Sequence, residues 1–209
     1  MKITIVYDNT VFKKKLQADW GFSALIEAVD TPKILFDTGA NGKILLSNMG
    51  KLGIEPASID EVFISHPHFD HTGGLSGFLK VADIGKIYVP SSLGLKNEVV
   101  LREPQKIHQN VFSTGELEGI EQSMGVITKK GIVLIVGCSH PRMAHILETA
   151  SQFGKIYAII GGMHGFSEFE LFKDLELICP THCTQHQAEL KELYPKKYIE
   201  GGAGRMIKI

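Results

Sequence analysis

Short β-branched and apolar runs recur along the chain at residues 3–7 (ITIVY), 33–37 (KILFD), 61–65 (EVFIS), 86–90 (KIYVP), 131–137 (GIVLIVG), 155–162 (KIYAIIGG) and 175–179 (LELIC). Runs of this length and composition predict strands. Between several of them the apolar positions recur at helical spacing. One such segment starts at Gly42 (GKILLSNMGKLGI), one at Pro141 (PRMAHILETASQFG) with Gly154 as its cap, and one at His186 (HQAELKELYP), which stops before Pro195. The alternation predicts α/β layering with helices outside a sheet core. No repeat of fixed period, low-complexity tract or Pro/Ser-rich linker divides the chain, so 1–209 reads as a single domain. The stretch 91–122, with REPQKIHQN and STGELEG, is more polar and reads as a loop region near a site. GGAGR at 201–205 lacks the strand-to-helix setting of a phosphate loop and predicts a turn before a closing strand, MIKI.

Composition narrows the function classes. With 209 residues, 44% apolar content and a formal net charge of -1, the chain suits one substantial core. No segment is basic enough to ask for nucleic acid or an anionic membrane, which leaves a small-molecule substrate as the expected partner. No apolar stretch approaches the roughly 20 residues that span a bilayer, and MKITIVYDNT does not read as a charged leader. A cytoplasmic location is the resulting expectation. Cys138, Cys179 and Cys183 form an odd set that argues against a disulfide framework, so reduced thiols are expected. The oligomeric state has no sequence signal.

Histidine carries the chemistry. The run EVFIS leads into His66, His68, Asp70 and His71; IVLIVGCS leads into His140; YAIIGGM leads into His164; LELICPT leads into His182. In layered α/β folds the loops at one sheet edge build the site, so these residues can meet in space. In extended chain, positions i and i+2 point the same way, and His66 and His68 can therefore grip one ion while Asp70 and His71 serve a second point nearby. Imidazoles with one carboxylate suit zinc, manganese or iron better than calcium. Burying so many polar groups without a metal or a full set of partners would carry a large desolvation cost. His108, His145 and His186 read instead as structural, and Cys138 and Cys183, with no C-x-x-C pair between them, read either as soft ligands or as small buried thiols.

SHPHFDHTGG at 65–74 resembles the H-x-H-x-D-H signature of the metallo-β-lactamase superfamily, and ILFDTGA at 34–40 resembles its preceding motif. With GCSH and THCT, the chain is most similar to the branch containing archaeal dihydropterin ribofuranosylaminobenzene phosphate synthases and many uncharacterised hydrolase-like proteins. The resemblance implies a four-layer αββα sandwich with one or two divalent ions along one edge. It implies that His66, His68 and His140 hold one ion, that Asp70, His71 and His182 hold the other, and that Asp37 supports the loop. The aspartate that commonly bridges the two metals has no counterpart: GGMH stands in its place in the order. Two alignments follow. Either His164 takes a role at the site, or GCSH occupies the bridging place and the third ligand position falls near Glu121.

These residues lead to a metal-dependent hydrolase that uses activated water on a small soluble ester, lactone or phosphorylated substrate, with Asp70 and His164 as catalytic groups. The alternatives are a pterin-related group-transfer synthase, a di-iron redox protein, and a metal-stabilised binding protein without catalysis.

Overall fold

The computed structural model describes residues 1–209. The first half runs through strands Lys2–Tyr7 (β1), Ser23–Glu27 (β2) and Ile34–Phe36 (β3), helix Gly42–Leu52 (α1), and strand Glu61–Phe63 (β4). Two single-turn helices, Phe69–Thr72 (α2) and Leu75–Phe78 (α3), then precede strands Lys86–Val89 (β5) and Glu98–Val100 (β6). The second half opens with strands Gln105–His108 (β7), Val111–Ser113 (β8), Met124–Thr128 (β9) and Gly131–Val136 (β10), followed by helix Met143–Ser151 (α4). Strands Ile156–Gly162 (β11) and Leu177–Thr181 (β12), helix Gln187–Leu193 (α5) and strand Met206–Lys208 (β13) complete it.

The strands form two sheets, ordered β13-β1-β2-β3-β4-β5-β6 and β12-β11-β10-β9-β8-β7. Each sheet is antiparallel on one side and parallel on the other: β3 to β6 run parallel in the first, β10 to β12 in the second. Side chains on alternate residues go to opposite faces. Val133 and Ile135 of β10 meet Ile3, Ile5 and Phe36 in the core between the sheets, while Ile132, Leu134 and Val136 face outward onto Met143, Ile146 and Ala150 of α4. On the other sheet, Val6, Leu35 and Val62 lie under Leu45 and Met49 of α1 and Phe78 of α3. Strands buried on both faces read as unbroken apolar runs. The layers are αββα, as the resemblance implies. No helix is long and apolar enough to cross a membrane.

The stretch 91–122 departs from the loop expected of it, because it contains β6, β7 and β8. Gln105 and Lys106 are exposed on an edge strand, where a polar pattern costs nothing. Helix α4 ends at Ser151 with Gln152 as its cap, so Gly154 lies in the turn beyond it. The segment GFSEFELF folds as a short 3-10 turn over Phe169–Phe172, with Phe172 buried against the α4 and α5 face.

A side-chain ion pair joins a strand of one sheet to a strand of the other. His108 Nε2 of β7 lies 2.6 Å from Glu61 Oε2 of β4, and Tyr88 of β5 donates to Glu61 Oε1 at 3.3 Å. His108→Ala leaves a nearly buried carboxylate short of a donor, and a loss of about 1–3 kcal/mol in urea unfolding is expected. Unchanged stability would mean that the contact does not tie the sheets.

Candidate metal centre

Parallel strands point their C-terminal ends to one edge, and both sheets present that edge to the same cleft. Asp37 follows β3, Ser65 to His71 follow β4, Cys138 and His140 follow β10, His164 follows β11, and His182 follows β12. Residues more than 100 positions apart thereby meet.

The histidine loop is fastened to the segment after β3. Thr38 donates to His71 O through its N–H at 2.8 Å and its Oγ1 at 2.9 Å. Gly74 passes so close that a Cβ would stand 3.1 Å from Thr38 C and nearer still to its carbonyl oxygen. Asp37 is fully buried and accepts from Ser65 N, Ser65 Oγ and His71 Nδ1, each at 2.7 Å.

Those bonds fix the imidazole tautomers. Asp37 takes the Nδ1 proton of His71, leaving Nε2 toward the cleft. Ser65 spends its hydroxyl proton on Asp37, so its oxygen accepts from His66 Nδ1 at 2.9 Å and His66 Nε2 keeps a lone pair. Asn9 Oδ1 accepts from Gly21 N at 3.0 Å and from His182 Nδ1 at 2.9 Å, which leaves His182 Nε2 as the lone-pair nitrogen. Partners on the far ring nitrogen are what orient metal-binding imidazoles.

The free atoms converge. His66, His68 and His140 form one set whose ligand atoms lie within 4.8 Å of one another; Asp70, His71, Cys138 and His182 form a second; Cys138, His140 and His164 form a third. His66 Nε2 and His140 Nε2 are 3.2 Å apart, and His71 Nε2 is 3.2 Å from Cys138 Sγ. His182 Nε2 is buried without a hydrogen-bond partner although Asp70 Oδ2 lies 3.1 Å away. A buried lone pair beside a carboxylate, neither bonded to the other, is the arrangement a cation satisfies. The donor set of nitrogen, sulfur and one carboxylate fits a divalent transition metal.

Charge follows the same geometry. Burial and the neighbouring imidazoles push His66 down and hold His140 at about 4, so both are neutral at pH 7. Burial opposes ionisation of Asp70, but His182 and His71 outweigh it and keep the carboxyl well below its usual range. Burial also works against a charged His71, yet Asp37 raises it above the ordinary imidazole value.

The loop after β10 is shaped by Glu121. Its buried carboxylate accepts the N–H groups of Gly137, Cys138 and Ser139 on Oε1, at 3.0, 2.9 and 3.2 Å, and that of His140 on Oε2 at 2.9 Å. Glu121 thus organises backbone and is not among the converging groups, whereas Cys138 converges with Asp70, His71 and His182 and also with His140 and His164. Cys138 and His140 repeat the i, i+2 spacing of His66 and His68, and that repeat is the sequence signal that marks the thiol. Asp37, Ser139, His164 and His182 all hold positive φ, from 39° to 59°. Strained non-glycine backbone of this kind gathers at functional sites.

His164 lies against His140, with ring centroids 4.5 Å apart, and both line a cleft of about 290 Å³ with Arg142, Met163 and Phe166. Trp20, 59% exposed, donates from Nε1 to Asp70 Oδ2 at 3.0 Å and sets its ring edgewise to His182. Nothing in the sequence links Trp20 to Asp70. Phe69, between His68 and Asp70, is 73% exposed. His108, His145 and His186 sit away from the cleft against Glu61, Glu118 and Glu189. A larger hollow of about 580 Å³, bounded by Met1, Val29, Ile127 and Ile209, is lined by no histidine, cysteine or acidic side chain.

Comparison with known proteins places the fold in a family. The chain is 28% identical to the 7,8-dihydropterin-6-methyl-4-(β-D-ribofuranosyl)-aminobenzene-5'-phosphate synthase of Methanocaldococcus jannaschii, over 98% of this chain and 95% of that protein. It is 29% identical to an uncharacterised protein of the same archaeon, over 99% and 100% of the two chains. A crystal structure of a metal-dependent hydrolase of the β-lactamase superfamily superposes with a TM-score of 0.75, at 24% identity, over 100% of this chain and 99% of that one. The profile of the metallo-beta-lactamase superfamily matches residues 21–152, from just before β2 to the cap of α4. By fold, by the loop after β4 and by that match, the chain belongs to the metallo-β-lactamase superfamily.

Proposed function

We propose that the protein is a metal-dependent hydrolase of small ester, lactone or phosphorylated substrates. The observation that carries this reading is the convergence of imidazole nitrogens with Asp70 and Cys138, those of His66, His71 and His182 having their other ring nitrogen bonded away. His66, His68 and His140 hold one divalent ion, and Asp70, His71 and His182 hold a second, with Cys138 beside the second and near His140 of the first. The thiol favours zinc over the harder manganese. When bound, such ions lower the pKa of water and polarise a carbonyl or phosphoryl oxygen.

The chain's own groups do the rest. Asp70 has Oδ2 engaged by Trp20 and beside His182, which leaves Oδ1 to accept a hydrogen bond from the attacking water and orient it. His164, half-buried at the mouth of the cleft, is held below its usual pKa chiefly by burial, and so is neutral at pH 7. A neutral ring there can hydrogen-bond the developing oxyanion. The test is a screen of esters, lactones and phosphodiesters with zinc-loaded or manganese-loaded protein. His68→Ala should abolish hydrolysis without unfolding the chain, and retained activity would defeat the assignment.

Similarity to the synthase over nearly the whole chain supports a second reading, group transfer between pterin-related substrates with the same electrophilic site. Joining of a pterin to a phosphorylated ribofuranosyl-aminobenzene, in place of hydrolysis of either, would select it.

A further inference from the structure

The sulfur atoms of Cys138 and Cys183 lie 3.3 Å apart, with both residues buried, at 2% and 7% exposure. Their meeting is not a default of the fold. They follow β10 and β12, which are separated by β11 and therefore by about 9–10 Å of sheet. The thiols touch because β11 ends in Gly162, where a Cβ would lie 2.7 Å from Cys183 Sγ and 3.4 Å from Cys138 Cα. Gly162 is held there by its N–H to Gly137 O at 3.1 Å and by Ser139 Oγ donating to its carbonyl at 2.9 Å. The third thiol, Cys179, sits inside β12 in the core between the sheets.

We propose that Cys138 and Cys183 form a reversible disulfide, made by a peroxide and broken by a thiol reductant, which withdraws Cys138 Sγ from the cluster it shares with His71, His140 and His182. Sulfur atoms already in contact need to close only from 3.3 Å to about 2.05 Å. Cys183 Sγ also accepts the N–H of His164 at 3.4 Å, which fixes the sulfur on the side that faces Cys138. A thiolate is the nucleophile that peroxide chemistry requires.

In the first step the thiolate attacks a peroxide oxygen, the O–O bond breaks, and a sulfenic acid and hydroxide form; the hydroxide takes up the proton the thiol released. In the second, the partner sulfur attacks the sulfenic sulfur, the S–O bond breaks, and the departing oxygen leaves as water with the partner's proton. Two thiols lose two electrons and two protons, and one hydrogen peroxide becomes two waters.

The bond stands on the geometry of the thiols alone; its effect on metal rests on the reading of the cluster as a metal centre. Reduced protein, with and without zinc, is treated with hydrogen peroxide, unfolded, and assayed for thiols and linked peptides. Two of the three thiols should be lost, the linked pair should be Cys138 with Cys183, Cys179 should stay free, and dithiothreitol should restore all three. Cys179→Ser should behave as the parent chain, and Cys183→Ser should form no internal link. A link through Cys179, a link between two chains, or oxidation of single thiols to sulfinic acid in place of the pair would overturn the proposal. Zinc retained undiminished by the disulfide form would overturn the withdrawal of Cys138, whereas reduced protein that never binds zinc would overturn the metal reading and leave the disulfide standing.

Discussion

Asp37→Ala is expected to lower the unfolding free energy by about 3–5 kcal/mol, the range for removing one member of a buried charged pair. The carboxylate is inaccessible and holds three donors at 2.7 Å: the Ser65 amide, the Ser65 hydroxyl and His71 Nδ1. Alanine orphans all three at once. The same change frees the rings of His66 and His71, since Ser65 orients the first and Asp37 itself the second. Losing such a supporting partner weakens metal binding by roughly 10–100-fold. Urea unfolding and zinc titration against a competing chelator read the two effects separately. Asp37→Asn sharpens the test, because Oδ1 can still accept from the Ser65 amide while the new NH₂ faces the two remaining donors. It should fold better than alanine and bind zinc nearly as poorly. Parent-like zinc affinity in both variants would remove Asp37 from the role assigned to it.

Glu121→Ala should cost about 3 kcal/mol or more, because four consecutive amides from Gly137 to His140 lose a fully buried acceptor together, two of them on buried residues. Ser139, at a φ of 59°, has little reason to hold that conformation once the carboxylate is gone. Cys138 and His140 should then leave the cleft, and zinc binding should fall although no converging group is touched. Glu121→Gln keeps the oxygen shared by Gly137, Cys138 and Ser139 but turns an NH₂ toward the His140 amide. A selective shift of the His140 amide resonance, with the other three near their parent positions, is the expected signature. Uniform shifts across the loop, or none, would show that the carboxylate does not divide its oxygens in this way.

The parts of the fold legible in the sequence are those where burial is complete. Strands β10 and β11 are covered on both faces and read as unbroken apolar runs, and α1 shows its helical spacing because one face packs on a sheet. Strand β2 escapes notice because Ser23 and Ala24 carry little signal, and its burial comes from lying between β1 and β3. Strands β6 and β7 escape because an exposed edge imposes no apolar pattern. The site divides in the same way. His66, His68, Asp70 and His71 are close in sequence and announce themselves. Cys138 needs the third dimension, since one thiol next to a candidate ligand is ambiguous until its sulfur is placed between two sets of donors. Glu121 is recognisable only from the four amides that it gathers, and no spacing in the chain encodes them.

Trp20 gives the molecule an optical property. It is the only tryptophan among the 209 residues, and its indole N–H rests on Asp70 while its edge meets His182. All tryptophan emission from this protein therefore arises at the rim of the cleft, from a ring in contact with two members of the cluster. Whatever occupies the cleft changes the field and the quenchers around that one fluorophore, so the site reports its own occupancy without a label.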